Sequence, residues 1–209
     1  MSINLGAERK KIESVLLAAG QSSRMGSDKA LLKIKGEFSV CRFIRKLKPF
    51  SAKIIIVLGD NFEKVSSIIK SHCFDEKLIE IVYNENHLSG MFSSVLKGFR
   101  ITGGKFPVLL QMIDQPFVPA NIYLTLLENY DESNLIFQPA KKTKTGIRKG
   151  HPLLFSKNFK QILAENRDKN MLSEIINAYE SRRKLIFVDD ESIFHNLNTP
   201  DELKKFTKE

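Results

Sequence analysis

The chain has 209 residues, 42% hydrophobic and 27% charged, which excludes disordered, collagenous and fibrous classes and suffices to bury a core without staples. Lys and Arg total 33 against 24 Asp and Glu, a formal net charge of +9; this admits either an anionic partner or a solvated lysine-rich surface. No apolar run approaches the roughly 18 residues of a membrane-spanning helix. The polar stretch Met1–Glu13 has no apolar core of a secretory signal. Cys41 and Cys73 lie far apart and outside any CxxC spacing, which argues against a disulfide framework or a zinc site and for a reducing cytosol.

After a polar tail over 1–11, the first element is the apolar run Ile12 to Ala18, a strand expectation that ends toward Gly20. The loop Gly20-Gln21-Ser22-Ser23-Arg24-Met25-Gly26-Ser27-Asp28-Lys29 follows. Phe43, Ile44 and Leu47 have helical spacing. Lys53 to Leu58 is a continuous β-branched run ending at Gly59. Val65, Ile68 and Ile69 predict a helix, Ile79 to Tyr83 a strand, Val95, Leu96 and Phe99 a helix, and Val108 to Ile113 a strand. Leu135 to Gln138 and Leu185 to Val188 are shorter strand candidates. Between them, 141–150 is basic, polar and punctuated by glycine, and reads as a mobile loop. Leu172, Ile175, Ile176 and Tyr179 predict a helix. Thr199-Pro200-Asp201-Glu202 is a helix start: Thr199 caps, Pro200 fits the first turn and Glu202 completes a capping box. Apolar runs alternating with helical periods predict one three-layer α/β/α domain over 1–209 with a mainly parallel sheet.

In such sheets ligands bind at the carboxyl ends of the strands, where the loop 20–29 falls. Gly20 and Gly26 permit close backbone approach and positive φ. Ser22 and Ser23 add hydrogen-bond donors, and Arg24 and Lys29 add cations suited to phosphate. Neither GxxxxGK[ST] nor GxGxxG is present, so this is neither a P-loop nor an ordinary dinucleotide fingerprint. A plain turn with incidental cations is the alternative.

The stretch Leu17-Ala18-Ala19-Gly20-Gln21-Ser22-Ser23-Arg24-Met25-Gly26-Ser27-Asp28-Lys29 resembles the LAAGxSxRMGxxK signature of MobA-like nucleotidyltransferases, nearest to the molybdenum cofactor cytidylyltransferase (MocA-like) branch. Further landmarks follow in order: Gly90-Met91 through Phe99, Asp114-Gln115-Pro116-Phe117-Val118, Gly150-His151-Pro152-Leu153-Leu154-Phe155, and Asn196 to Leu203. The resemblance implies a Rossmann-like nucleotidyltransferase fold. It also implies Mg²⁺-dependent transfer of a nucleoside monophosphate from CTP or GTP to a phosphorylated acceptor such as molybdopterin, with release of pyrophosphate.

It further implies roles for individual residues. Arg24 and Lys29 would neutralise phosphate oxygens and stabilise the leaving pyrophosphate, and Asp114 and Asn198 would hold the metal. Leu17, Ala18, Ala19, Gly20, Ser22 and Ser23 would bind the nucleotide. Gly90, Ser93 and Ser94 would lie near base and ribose, with a plain helix cap as the alternative. His151, Lys149 and Asp168 would face the acceptor, although a structural histidine and a solvated loop fit His151 and the 141–149 lysines equally well. A molybdoenzyme or its maturation factor is the implied protein partner; neither nucleic acid nor membrane is expected.

The pattern departs in two places. The branch's DIDTP is Asn196-Leu197-Asn198-Thr199-Pro200 here, closer to the guanylyltransferase form, and its GDxGAR is Arg167-Asp168-Lys169-Asn170-Met171-Leu172. Ala19, where guanylyl enzymes usually have glycine, leans toward CTP, though one methyl discriminates by only about 1–3 kcal/mol. A sugar- or alcohol-phosphate acceptor, or a nucleotide-binding accessory protein without turnover, are the competing readings.

Overall fold

The computed structural model describes residues 11–20 and 27–207, with side chains to residue 203. Residues 1–10 of the tail expected over 1–11, and Gln21 to Gly26, lie outside the described residues. In chain order the elements are β1 (Ile12–Leu17), a 3₁₀ turn (Lys29–Leu31), β2 (Lys33–Ile34), β3 (Glu37–Phe38), α1 (Ser39–Leu47), β4 (Ser51–Leu58), α2 (Phe62–His72) and β5 (Ile79–Tyr83). Next come α3 (Met91–Ile101), β6 (Val108–Met112), α4 (Ala120–Glu128), β7 (Ile136–Thr143), β8 (Gly146–Lys149) and β9 (Leu153–Phe155). The chain continues with α5 (Phe159–Glu165), α6 (Leu172–Ala178), β10 (Arg183–Phe187) and α7 (Pro200–Thr207).

The main sheet has the order β10-β7-β9-β6-β1-β4-β5, with β8 also paired to β7. β1, β4, β5 and β6 are parallel, as are β7 and β10, while β8 and β9 run antiparallel to their neighbours. The continuous apolar runs are explained by burial on both faces. Ile54, Ile56 and Leu58 pack against α1, α2 and α4. The alternate residues Ile55 and Val57 pack against α3, α5 and α6. Three layers therefore follow from the side-chain alternation of single strands. Gly98 lets α3 lie close on the sheet, since a Cβ there would collide with Val15.

Three expectations need correction. Segment 141–150 is not a mobile loop: β7 and β8 form a hairpin with register Ala140↔Lys149, Lys141↔Arg148, Lys142↔Ile147 and Thr143↔Gly146. Most of its cations have local partners. Lys141 reaches Asp189 at 2.7 Å and Glu191 at 2.8 Å; Lys142 lies over the Phe187 ring and Arg148 over Phe194. Second, Cys41 and Cys73 are disulfide-bonded, with Cα atoms 5.7 Å apart. They meet because α1 and α2 lie on one face of the sheet, a proximity that sequence spacing does not reveal. Third, α4 and α5 stand where no helical period was drawn; α5 has only seven residues. The capping box holds as expected: Thr199 N–H donates to Glu202 Oε2 and Glu202 N–H to Thr199 Oγ1. No helix among the described residues is long and apolar enough to cross a membrane.

Candidate active site

A cavity of about 350 Å³ opens where the carboxyl ends of β1 and β6 meet the start of α3. Leu17, Ala19 and Gly20 line it from the end of β1, Met112, Ile113 and Asp114 from the end of β6, and Gly90, Met91 and Ser94 from α3. Lys29 closes one side and His87 and Leu88 another.

Lys29 is carried on the 3₁₀ turn that Asp28 caps, its carboxylate accepting from Ala30 N–H at 2.8 Å. The Lys29 ammonium donates to Asn198 Oδ1 at 2.7 Å and stands 3.8 Å from Asp114 Oδ2. Three residues separated by up to 169 positions thus converge on one point. Asn198 is held by the start of α7, because Glu202 Oε2 also accepts from Asn198 N–H at 2.6 Å. Asp114 is held through its carbonyl, which accepts from Leu197 N–H at 2.6 Å. Burial pushes the Asp114 carboxyl above its usual pKa, with Lys29 opposing that shift. Asp114 Oδ1 is buried and has no hydrogen-bond partner among the described residues.

The opposite wall is built on Asn84 at the end of β5. Its Nδ2 donates to Ser93 Oγ and Ser94 Oγ, both at 2.9 Å, and its Oδ1 accepts from Asn86 N–H. Gly90 precedes α3 with φ +98, a left-handed conformation that side-chain-bearing residues rarely adopt. The first turn of α3 borders the cavity through Gly90, Met91 and Ser94, and a helix start is its positive end. Beneath the floor, Gln115 Nε2 donates to Asn196 Oδ1 at 2.9 Å, and Tyr123 O–H donates to Gln111 Oε1 at 3.0 Å.

Among the expected site residues, Lys29, Asp114 and Asn198 come together, and Leu17, Ala19, Gly20, Gly90 and Ser94 line the same cavity. Ser22, Ser23 and Arg24 lie outside the described residues. The structure departs from expectation at three others. Ala18 is in the core and does not line the cavity. Ser93 is turned back, its hydroxyl reaching Asn86 O at 2.7 Å and Gly90 O at 2.8 Å, so it fastens the helix start. Asp168 sits in an exposed turn between α5 and α6, away from the cavity lining.

For the acceptor-side residues, the register Leu110↔Leu153 puts His151 beside the carboxyl end of β6. His151 N–H donates to Ile193 O, and burial pushes its imidazole below the usual histidine value. Lys149 is at the same end of the sheet but pairs with Glu180 at 2.9 Å. His87 and Asn84 were missed by sequence reasoning. His87 Nε2 lies 3.1 Å from Asp60 Oδ1, its side chain is only 5% exposed, and its Nδ1 has no partner among the described residues. Asn84 directly after a buried strand was the one available signal.

A sequence profile of the MobA-like NTP transferase domain matches residues 14–183. The molybdenum cofactor guanylyltransferase of Campylobacter jejuni (strain 81116) is 29% identical over 205 residues, covering 95% of this chain and 97% of that protein. The crystal structure of 4-diphosphocytidyl-2C-methyl-D-erythritol synthase from Anaerococcus prevotii superposes with a TM-score of 0.76 at 15% identity, over 96% of each chain. Molybdopterin-guanine dinucleotide biosynthesis protein A from Archaeoglobus fulgidus gives 0.67 at 18% identity, over 94% of this chain and 97% of that one. At these identities the two structures bear on the fold alone.

Proposed function

Because the chain belongs to the MobA-like NTP transferase family, we propose that its cavity binds GTP and transfers GMP to the phosphate of a molybdopterin-type acceptor. The convergence of Lys29, Asp114 and Asn198 at the cavity edge carries this reading. GTP is favoured by the guanylyltransferase relative and by the Asn196–Asn198 segment, whose two amides stand where the cytidylyl branch has carboxylates.

In the reaction an acceptor phosphate oxygen forms a bond to the α-phosphorus of the triphosphate. The bond from that phosphorus to the bridging oxygen breaks, and pyrophosphate leaves with the electron pair. The work of the protein is positioning and charge compensation. Lys29 would leave Asn198 for the phosphate oxygens and neutralise charge developing on pyrophosphate, a task the family signature assigns to Arg24 as well. The amides at the start of α3 would face the nucleotide, and Ser94 would orient it. His151 would meet the acceptor from β6's neighbour.

The residues suit a divalent cation: Asp114 Oδ1 is a buried carboxylate oxygen without a partner among the described residues, and Asn198 Oδ1 is a neutral oxygen that shares the Lys29 ammonium with that carboxylate. When bound there, Mg²⁺ would supply Lewis-acid polarisation of the phosphate. CTP is the second reading, favoured by the Ala19 methyl in the cavity wall. Pyrophosphate release from GTP, CTP, ATP and UTP, each with molybdopterin and Mg²⁺, tests both. Release dependent on GTP supports the reading; release with CTP alone replaces it with the second; no release with any triphosphate overturns both.

A further inference from the structure

Lys46, on α1, has no part in the chemistry above. Its ammonium donates to the backbone carbonyls of Pro116 and Val118, each at 2.6 Å. Arg42, one turn earlier, donates through Nε to the same Pro116 carbonyl at 3.5 Å. Both carbonyls belong to the loop that leaves β6 immediately after Asp114. We propose that Lys46, backed by Arg42, is a positioning residue that ties this loop to α1 and so fixes where the Asp114 carboxylate stands relative to Lys29 and Asn198.

The loop is gripped from two sides. The C-terminal segment holds it through Leu197 N–H to Asp114 O and through Gln115 to Asn196. From α1, the side chains of Lys46 and Arg42 hold it a few residues further on. α1 is a firm base for that grip. Phe43, Ile44 and Leu47 are buried beneath it, Cys41 is bonded to Cys73 at the end of α2, and Arg45 pairs bidentately with Glu37.

The arrangement is costly, which argues against an incidental contact. Burial, followed by repulsion from Arg42 and Arg45, brings Lys46 down to about 7 from 10.5. Its direct partners are neutral carbonyls, and the carboxylate of Glu37 compensates only weakly. A lysine facing solvent would stabilise the fold at lower cost. What the half-buried one adds is a fixed separation between α1 and the residues after Asp114, as outer-shell partners of a metal ligand provide.

This inference rests on Asp114 as the cation-binding carboxylate, so Mn²⁺ affinity is the direct readout. Titration of Mn²⁺ by electron paramagnetic resonance, with no nucleotide present, compares the wild-type chain with Lys46→Met, Lys46→Gln, Lys46→Arg and Asp114→Asn. Lys46→Met and Lys46→Gln are expected to weaken Mn²⁺ binding by about 10-fold or more, as loss of an outer-shell partner does. Lys46→Arg, which restores donors to the two carbonyls, recovers most of that loss. KM for the nucleotide stays within about 2-fold while kcat falls, because only the carboxylate's placement has changed.

A merely structural lysine would lower the melting temperature and leave Mn²⁺ affinity of the folded protein unchanged; that result overturns the proposal. If Asp114→Asn abolishes Mn²⁺ binding while both neutral Lys46 variants bind like the wild type, the positioning role alone fails. If Asp114→Asn binds Mn²⁺ like the wild type, the assignment of Asp114 fails and the positioning role falls with it.

Discussion

The cavity edge and the β7–β8 hairpin both carry lysine, yet their charges are handled in opposite ways. At the cavity Lys29 is 2.7 Å from a neutral amide oxygen and 3.8 Å from one buried carboxylate, which keeps an unpartnered oxygen. On the hairpin Lys141 has two carboxylates within 2.8 Å and Lys149 has Glu180. The hairpin also sets the Lys142 ammonium over the Phe187 ring and the Arg148 guanidinium over Phe194. A net charge of +9 therefore says little about where an anion would bind. A compensated cation has already given up most of its attraction, whereas one held by an amide can transfer to a phosphate.

The contrast makes graded predictions. Asp114→Asn has the largest expected effect, a loss of divalent-dependent pyrophosphate release of about 10³-fold or more. Its melting temperature should hold or rise near neutral pH. Burial raises the folded-state pKa of this carboxyl above 3.8. The native form therefore binds the extra proton, and ionisation is disfavoured in the fold as pH rises through that window. Calorimetry on the same preparation checks this; a strong destabilisation would make Asp114 a structural residue.

Lys29→Ala should lower kcat by about 10²–10³-fold with an unaltered circular dichroism spectrum. A rate within 3-fold would remove Lys29 from the chemistry. Ala19→Gly should shift the GTP-to-CTP preference by about 10-fold or less, the scale of one methyl; an unmoved ratio would place base selection elsewhere, with His87 the first residue to examine. Lys141→Ala and Lys149→Ala, at the small end, should change kcat/KM by less than about 3-fold and leave the melting temperature nearly unmoved, because exposed ion pairs add little to stability. A larger loss in acceptor KM for Lys149→Ala would return the hairpin to the acceptor site.

The smallest effect concerns pH. Burial holds the His151 pKa below 6.5, so on acidification the unfolded chain takes up the proton first. The melting temperature should fall as pH drops below about 6.5, and His151→Gln should blunt that fall. An identical pH profile in the variant would assign the acid sensitivity to other groups.

The legible parts of the molecule were those set by local pattern. Ile54 to Leu58 announced a strand covered on both faces, and Thr199 to Glu202 announced the cap that now holds Asn198 in place. Asp114, Lys29 and Gly90 were found through their motifs. What stayed hidden was set by tertiary contact. β9 has three residues and owes its strand conformation to pairing with β6 and β7. The Lys–Thr composition of 141–149 looks like a loop until Asp189, Glu191 and Phe187 are placed beside it. Ser93 reads as an outward donor in sequence, but Asn84 and the Gly90 carbonyl turn it inward. His87 carries no periodic or motif signal, and its place in the cavity wall depends on the path from β5 to α3.

The most direct test is pyrophosphate release on adding molybdopterin to GTP and Mg²⁺, run in parallel with the wild-type chain and Asp114→Asn. The account predicts one pyrophosphate per guanylylated acceptor from the wild type and none above background from the variant. Equal release by both, or nucleotide binding without release by the wild type across all four triphosphates, would contradict it.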